Sequence, residues 1–240
     1  MTAAAALDPR HRVSLAIDGP AGAGKSTVAR EVARRLGYVY IDTGAMYRAV
    51  AYVAYQRGLR LDADDHAIGE LAGELRFEFH RVGDEQHLFV DGEDTEAALR
   101  TPAVSNLSSP VSALPGVRQH LVAAQRLMAE GGGVVMEGRD IGTVVLPGAE
   151  VKVFVTASEA ERARRRQRQL HEQGVERRLE QILQEQRERD TRDSSREVAP
   201  LRRAADAHLL VTDDQTLAEV TARLVDLVHA AEEAKRRGEP

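Results

Sequence analysis

One short stretch indicates the fold of this chain: Gly19-Pro20-Ala21-Gly22-Ala23-Gly24-Lys25-Ser26. It matches the pattern G-x-x-x-x-G-K-[ST], in which glycines let backbone N–H groups turn inward around a polyphosphate. The apolar run 13–17 before it predicts a strand, and the helical apolar period over residues 28–36 after it predicts a helix. Because this is the setting that a phosphate loop requires, we expect Lys25 to reach the β- and γ-phosphates of a nucleoside triphosphate and Ser26 to bind Mg²⁺.

Short apolar strands and amphipathic helices alternate along most of the chain. Further strands are predicted at residues 38–41, 134–136, 151–155 and 209–211. This alternation predicts an α/β fold of three layers, in which a five-stranded parallel sheet lies between helices. Ligands of such sheets bind beyond the carboxyl ends of the strands, so the loops 18–26, 42–48 and 137–143 are expected to open on one edge.

Residues 62–103 interrupt this alternation. Residues 67–75 have a helical pattern, and the runs 76–80 and 87–91 then alternate with period two on either side of a polar turn. Such a pattern predicts a β-hairpin. The sequence therefore indicates a core made of residues 1–61 and 104–240, with a small subdomain inserted at 62–103.

Two helices near the C-terminus have distinct patterns. Ser158 with Glu161 predicts a capping box for an arginine-rich helix, and the segment 157–175 is poor in apolar anchors, which is typical of low local stability. The last helix is expected to turn five side chains inward: Leu217, Val220, Leu224, Leu227 and Ala231.

Composition narrows the possible locations and partners. The chain has 240 residues, 42% of them hydrophobic, which is enough for a folded core, and a formal net charge of −5, which argues against a general nucleic-acid binder. It contains no cysteine and no apolar run near the roughly 20 residues of a membrane span. We therefore expect a cytoplasmic protein without an export signal, a membrane partner or a nucleic-acid partner.

Three further segments carry charged and polar residues in suggestive positions: residues 42–48 (DTGAMYR), 137–143 (EGRDIGT) and 189–196 (RDTRDSSR). The first suits an anion site at a helix N-terminus, or simply a capped helix with a surface arginine. In the second, Asp140 could accept a hydrogen bond from the amine of cytosine, or pair with the adjacent Arg139. The third could bind a ligand or form a solvated charged face.

Together with the phosphate loop, these segments resemble the bacterial cytidylate kinase family over about residues 12–230. The resemblance implies an enzyme of pyrimidine nucleotide metabolism that transfers the γ-phosphate of ATP to CMP or dCMP, with Mg²⁺ as cofactor. It also implies that residues 62–103 form the insert that binds the nucleoside monophosphate, and that residues 157–175 form a helical lid over ATP. We expect this enzyme to be a monomer.

The resemblance implies a role for each matching residue. Those expected to contact ATP are Gly19, Pro20, Ala21, Gly22, Ala23, Gly24, Lys25, Ser26, Thr27, Arg165 and Arg166. Those expected to contact the acceptor phosphate are Thr43, Arg48, Arg139 and Arg196. Those expected to bind the cytosine base are Ser109, Arg118 and Asp140. Those expected to bind the ribose are Arg189 and Asp193, and Tyr47 is expected to line the pocket. The expected catalytic charges are Lys25, Arg139, Arg189 and Arg196, and the expected Mg²⁺ residues are Ser26 and Glu137. Pro110 is expected to kink the helix that carries Ser109.

Two other classes of function are compatible with a phosphate loop. One is another small-molecule kinase, of the shikimate or adenylate type. The other is a nucleotide-dependent switch that binds RNA through the arginine-rich helix at 159–170. A GTPase would need an Asn/Thr-Lys-x-Asp segment, which the sequence lacks, and RNA binding usually needs more aromatic residues than the 4% present here.

Overall fold

The computed structural model describes residues 11–61, 63–83, 85–99 and 101–238. The segment 1–12, for which no export signal is expected, lies outside the described residues except for its last two positions. The strands are β1 (Ser14–Asp18), β2 (Val39–Asp42), β3 (Phe77–Val82), β4 (Glu85–Val90), β5 (Glu93–Asp94), β6 (Val134–Gly138), β7 (Val151–Thr156) and β8 (His208–Val211). The helices are α1 (Lys25–Leu36), α2 (Thr43–Gln56), α3 (Asp65–Glu74), α4 (Glu96–Leu99), α5 (Pro102–Val111), α6 (Pro115–Ala129), α7 (Glu159–Glu172), α8 (Leu179–Ser195) and α9 (Leu217–Arg237).

Five strands form one parallel sheet in the order β2-β6-β1-β7-β8. The register pairs Asp18 with Gly138 and Asp42 with Glu137, so the strand ends that bear these residues lie side by side. The predicted α/β fold with a five-stranded parallel sheet is confirmed. No helix in the described ranges is long and apolar enough to cross a membrane.

Alternate residues of the strands point to opposite faces of the sheet and belong to two apolar clusters, one on each face. Leu15 and Ile17 of β1 pack with side chains of α1 and α9, whereas Ala16 packs with side chains of α2, α3 and α6. Both faces of the sheet are therefore covered, which explains why its strands are apolar throughout.

The antiparallel sheet β3-β4-β5 lies within the interrupting segment. Its buried residues Phe77, Leu88 and Val90 belong to the same apolar cluster as Ala16 and α2. The side-chain amide of Gln86 also donates to the Tyr40 carbonyl and accepts from the Tyr40 N–H at 3.2 Å. The hairpin thereby covers part of the exposed edge of β2.

Several local predictions are wrong in detail. The Ser158 hydroxyl accepts from the Glu161 N–H, but the Glu161 carboxylate pairs with Arg165, so only half of the predicted capping box forms. A complete capping box occurs instead between Thr216 and Glu219 at α9. Leu217, expected to point inward, is 44% exposed because α9 begins there, above the sheet.

Two expectations about helices also change. Pro110 is the second-last residue of α5, so the helix ends one residue later instead of continuing through a kink. The arginine-rich segment is better anchored than its composition suggests, because Ala163 and Leu170 of α7 and Ile182 of α8 form a small buried cluster. The π-helical turn Ile141–Val145 between β6 and β7 was not predicted.

Candidate active site

The loop 19–26 connects the central strand β1 to α1. Gly19, Gly22 and Gly24 all have positive φ angles, and a Cβ on Gly19 would lie 1.9 Å from the Val155 carbonyl oxygen, so the path of the loop requires glycine. Gly24 occupies the N-cap of α1 without a side chain to cap the first N–H groups. Free N–H groups at the positive end of a helix dipole are suited to bind a phosphate.

Lys25 is buried in the loop, where its Nζ donates to the Pro20 carbonyl at 2.8 Å. Burial lowers its pKa to about 7, and the nearby positive charges of Arg139 and Arg189 contribute to the decrease. Burial and Arg139 likewise lower the pKa of Arg189 to about 10. Three of the predicted catalytic cations therefore repel one another in the free protein, and an anionic ligand would relieve this repulsion.

Glu137 ends β6 close to the phosphate loop. It is buried, and its carboxylate accepts hydrogen bonds from the Tyr40 and Ser26 hydroxyls. Burial raises its pKa, and the charge of Asp42 raises it further. One carboxylate beside a hydroxyl at a phosphate site fits Mg²⁺, which usually keeps several waters and needs few protein ligands. The described part of the chain contains no group of three or more His, Cys, Asp or Glu side chains that could hold a metal ion by themselves.

The expected acceptor-phosphate residues surround the carboxyl ends of β2 and β6. The Thr43 hydroxyl donates to the Glu137 carbonyl at 2.7 Å, and Arg48 pairs with Asp42 at 3.0 Å. Two buried guanidinium nitrogens, Nε of Arg48 and Nη2 of Arg196, lack a hydrogen-bond partner among the described residues. Buried donors are normally paired, so these two atoms are suited to an anionic ligand.

The residues expected to read the base and the ribose form two connected ion pairs. Arg118 pairs with Asp140, both buried, and the Tyr47 hydroxyl accepts from Arg118 at 3.4 Å. Arg139 instead pairs with Asp193 at 3.0 Å. The alternative in which Arg139 and Asp140 pair with each other is therefore wrong.

Ser109 lies with the second pair. Its hydroxyl donates to Asp193 at 3.0 Å, and Arg189 approaches the same carboxylate at 4.0 Å. The structure thus places Ser109 with the residues expected at the ribose. Arg196 is near both ion pairs. It donates to the Asp193 carbonyl and to the Ser112 hydroxyl, and the charges of Asp193 and Asp140 both act on it.

Helices α7 and α8 cover the phosphate loop. Of the two arginines expected to contact ATP, Arg165 donates to the Ala23 carbonyl of the loop at 3.3 Å, whereas Arg166 donates to Gln169 on its own helix. Arg162 reaches the Ala21 carbonyl at 3.1 Å and pairs with Asp190 at 2.6 Å. Its position three residues before Arg165 on the same helical face could have singled it out.

Gln186 is a further neighbour of the loop that sequence analysis did not identify. A Cβ on Gly22 would lie 2.9 Å from its side-chain nitrogen. Asp18 and Tyr40 were also missed as parts of the site. Their partners lie 123 and 97 residues away in the sequence, so no local pattern identified them.

Comparison with solved structures supports the fold. A gluconokinase from Sinorhizobium meliloti 1021 aligns with a TM-score of 0.50 at 17% identity, covering 96% of this chain and 99% of the gluconokinase. At this identity the likeness concerns the fold alone.

Comparison of sequences is more specific. The family model described as cytidylate kinase matches residues 15–230. A cytidylate kinase of Geobacillus thermodenitrificans is 51% identical over 91% of this chain and 97% of its own length, and one of Ligilactobacillus salivarius is 47% identical over 90% and 96%. A bifunctional pantoate ligase/cytidylate kinase of a Synechococcus strain is 49% identical over 90% of this chain but 40% of its own length. The predicted resemblance is confirmed: the chain belongs to the cytidylate kinase family.

Proposed function

We propose that the protein transfers the γ-phosphate of ATP to CMP, and also to dCMP, giving ADP with CDP or dCDP. The observation that carries the proposal is the buried Arg118–Asp140 pair, which lies at the same sheet edge as the phosphate loop. An ionised carboxylate can only accept hydrogen bonds, which suits the exocyclic amine of cytosine. The Arg118 guanidinium supplies donors for the acceptor atoms of the same base.

Charge stabilisation accounts for most of the chemistry in this proposal. The loop N–H groups and Lys25 hold the donor phosphates, while Arg48 and Arg196 bind the acceptor phosphate through their unpaired nitrogens. Arg139 and Arg189 are close enough to Lys25 for their charges to lower its pKa, and they stabilise the charge that accumulates as the phosphoryl group is transferred. The acceptor oxygen is already anionic, so no side chain is needed to remove a proton from it.

Ribose binding is assigned to Asp193 and Arg189. Asp193 is held by its pair with Arg139 at 3.0 Å, and Arg189 approaches the same carboxylate at 4.0 Å. Mg²⁺, when bound with ATP, would neutralise phosphate charge. Ser26 and Glu137 would hold the ion or its waters. The lid of this proposal is the segment 157–175, which contains α7 and is supported by α8. Its Arg162 and Arg165 are oriented towards the loop, and it would exclude the water that competes as acceptor.

The proposal also covers location and partners. The absence of cysteine and the net charge of −5 support a cytoplasmic enzyme that acts on free nucleotides without a nucleic-acid or membrane partner. We infer a monomer, since the residues assigned to both substrates come from one chain. Sedimentation at micromolar concentration would test this inference.

One panel of acceptors tests the proposed activity. ADP release is measured by a coupled assay with CMP, dCMP, UMP, AMP and shikimate at equal concentrations. We expect activity with CMP and dCMP, much less with UMP, and none with AMP or shikimate. A preference for AMP or shikimate would contradict the proposal and favour another kinase of the same fold.

The substitution Asp140→Asn tests which residue reads the base. Arg118 donates to one oxygen of Asp140. Uracil offers a carbonyl where cytosine has its amine, so in the wild type the other oxygen, which is proposed to face the base, should be left without a donor. A buried group without a partner costs about 1–3 kcal/mol, which is about one to two decades in specificity. We expect Asp140→Asn to narrow the CMP/UMP ratio of kcat/KM, mainly by loss of CMP activity.

Asp193→Ala is the matched comparison. It removes the proposed ribose contact, so CMP and UMP should lose activity in similar proportion. An unchanged CMP/UMP ratio in folded Asp140→Asn would mean that Asp140 does not read the base.

A further inference from the structure

A buried carboxylate ties the phosphate loop to the loop that bears Arg139 and Asp140. Asp18 is the last residue of β1, immediately before the phosphate loop, and is 4% exposed. One of its oxygens accepts from the Ile141 N–H at 2.8 Å, and the other accepts from the Gly142 N–H at 2.8 Å. Hydrogen bonds to an ionised acceptor are stronger than those between neutral groups.

The π-helical turn that contains these two N–H groups is also held from two other elements. From α6, Arg126 donates to the carbonyls of Val144 at 2.7 Å and Val145 at 2.9 Å. From β7, Lys152 donates to the Pro147 carbonyl, two residues after the turn ends. The turn is therefore held by Asp18 and Arg126, and the segment after it by Lys152. Among these three contacts, only that of Asp18 connects the turn to the strand that leads into the phosphate loop.

Asp18 is directed towards the turn and not towards the phosphate site, because each oxygen accepts a backbone N–H. Burial raises its pKa to about 6, although the hydrogen bonds from Gly142 and Ile141 act in the opposite direction. Neutral side chains would fill this position without the cost of burying a charge. Unlike those neutral side chains, a carboxylate can accept hydrogen bonds from two adjacent N–H groups at once.

We propose that Asp18 is a positioning residue that sets the base-reading loop relative to the phosphate loop. It touches neither substrate. By fixing the two N–H groups that follow Asp140, it fixes where Asp140 meets the base and where Arg139 lies between the phosphates. This inference rests on the proposed function and adds a determinant of acceptor specificity to it.

Asp18→Asn tests the inference. An amide side chain has one acceptor oxygen, so one of the two N–H groups would face an N–H₂ donor instead. We expect kcat/KM for CMP to fall at least about tenfold, the CMP/UMP ratio to narrow, and the KM for ATP to change less than about threefold. A merely structural role would not alter the base preference.

Two further variants make the result decisive. Glu232→Gln is the matched control, because Glu232 is also a buried carboxylate, accepts from the Tyr38 hydroxyl and lies near the opposite ends of the strands. It should leave the CMP/UMP ratio unchanged. Asp18→Ser offers a single, shorter-reaching acceptor oxygen, which cannot accept from both N–H groups, and should shift the ratio in the same direction as Asp18→Asn.

The outcomes separate this inference from the proposed function. Wild-type enzyme that does not phosphorylate CMP would refute the function itself. If the wild type is active, an unchanged CMP/UMP ratio in folded Asp18→Asn would overturn the positioning role. Should Asp18→Asn fail to fold, an unchanged ratio in folded Asp18→Ser would overturn it instead.

Discussion

At the scale of single residues, Lys25 shows how a binding site can oppose the stability of the free protein. Its folded pKa of about 7 lies below the usual value of 10.5, first because of burial and then because of Arg139. The unfolded chain therefore binds more protons between about pH 7 and 10, so the contribution of Lys25 to stability improves as pH rises through this range. Below about pH 7 the buried Lys25 is charged, so its full destabilising effect on the folded state is present.

Replacing Lys25 by methionine should separate activity from stability. We expect Lys25→Met to lose at least about 2.7–4 kcal/mol of transition-state stabilisation, or roughly a hundredfold or more in kcat, as when one preorganised donor is removed. At pH 6 the ligand-free variant should melt at the same temperature as the wild type or higher. Near-normal turnover, or a clear decrease in melting temperature at pH 6, would contradict this account.

The same residue predicts proton uptake when ATP binds. At pH 8 the free Lys25 is mostly neutral, whereas a polyphosphate beside it favours the charged form. ATP binding without Mg²⁺ at pH 8 should therefore take up close to one proton, and much less at pH 6, where Lys25 is already protonated. Calorimetry in buffers of different ionisation enthalpy measures this uptake, and Lys25→Met should abolish it. Equal uptake at both pH values would refute the assignment.

At the scale of elements, local patterns predicted most strands and helices, because apolar period and turn residues are properties of neighbouring positions. The phosphate loop, β1 and α1 were predicted to within a residue or two. Side-chain contacts were not predicted where two partners compete for one group, or where the partners lie far apart in the sequence. The Glu161 carboxylate pairs with Arg165 and not with the helix N-terminus. The Ser109 hydroxyl donates to Asp193, which lies 84 residues away in the sequence. The hydrogen bonds from Ile141 and Gly142 to Asp18 were not predicted for the same reason.

The proposed lid is the element whose behaviour the structure lets us test most directly. Ile182 of α8 is buried against Ala163 and Leu170 of α7, in a cluster separate from the two main ones. Ile182→Ala should cost about 2–5 kcal/mol locally and loosen the two helices without unfolding the sheet. Amide exchange should accelerate over residues 159–195, and the KM for ATP should rise.

Ligands provide the control for this prediction. In the wild type, an ATP analogue together with CMP should slow exchange over the same residues, because a closed lid protects them. If Ile182→Ala accelerates exchange equally in β1 and β6, the lid is not a separate element of low stability. If protection in the wild type is the same with and without ligands, the lid does not close.

At the scale of the whole molecule, the interrupting segment and the parallel sheet share one hydrophobic cluster. Leu88 of β4, 1% exposed, belongs to the same cluster as Met46 of α2 and Met136 of β6. Although the insert has its own antiparallel sheet, its apolar side chains are buried against the core and not against a separate interior. We therefore expect the two parts to unfold together, since neither can keep its buried surface alone.

Leu88→Ala tests this cooperativity. It should lower the free energy of unfolding by about 2–5 kcal/mol, and the loss should be measured equally by exchange in β4 and in β6, because the cluster is common to both. Leu209→Ala is the matched control: Leu209 lies on the edge strand β8 and is 45% exposed, so its loss should stay within about 1 kcal/mol. A single denaturant transition seen by circular dichroism should accompany both variants. Should β3 and β4 instead open at lower denaturant concentration while β6 stays protected, the insert would be an independently unfolding unit, and the shared cluster would not couple the acceptor side of the enzyme to its phosphate loop.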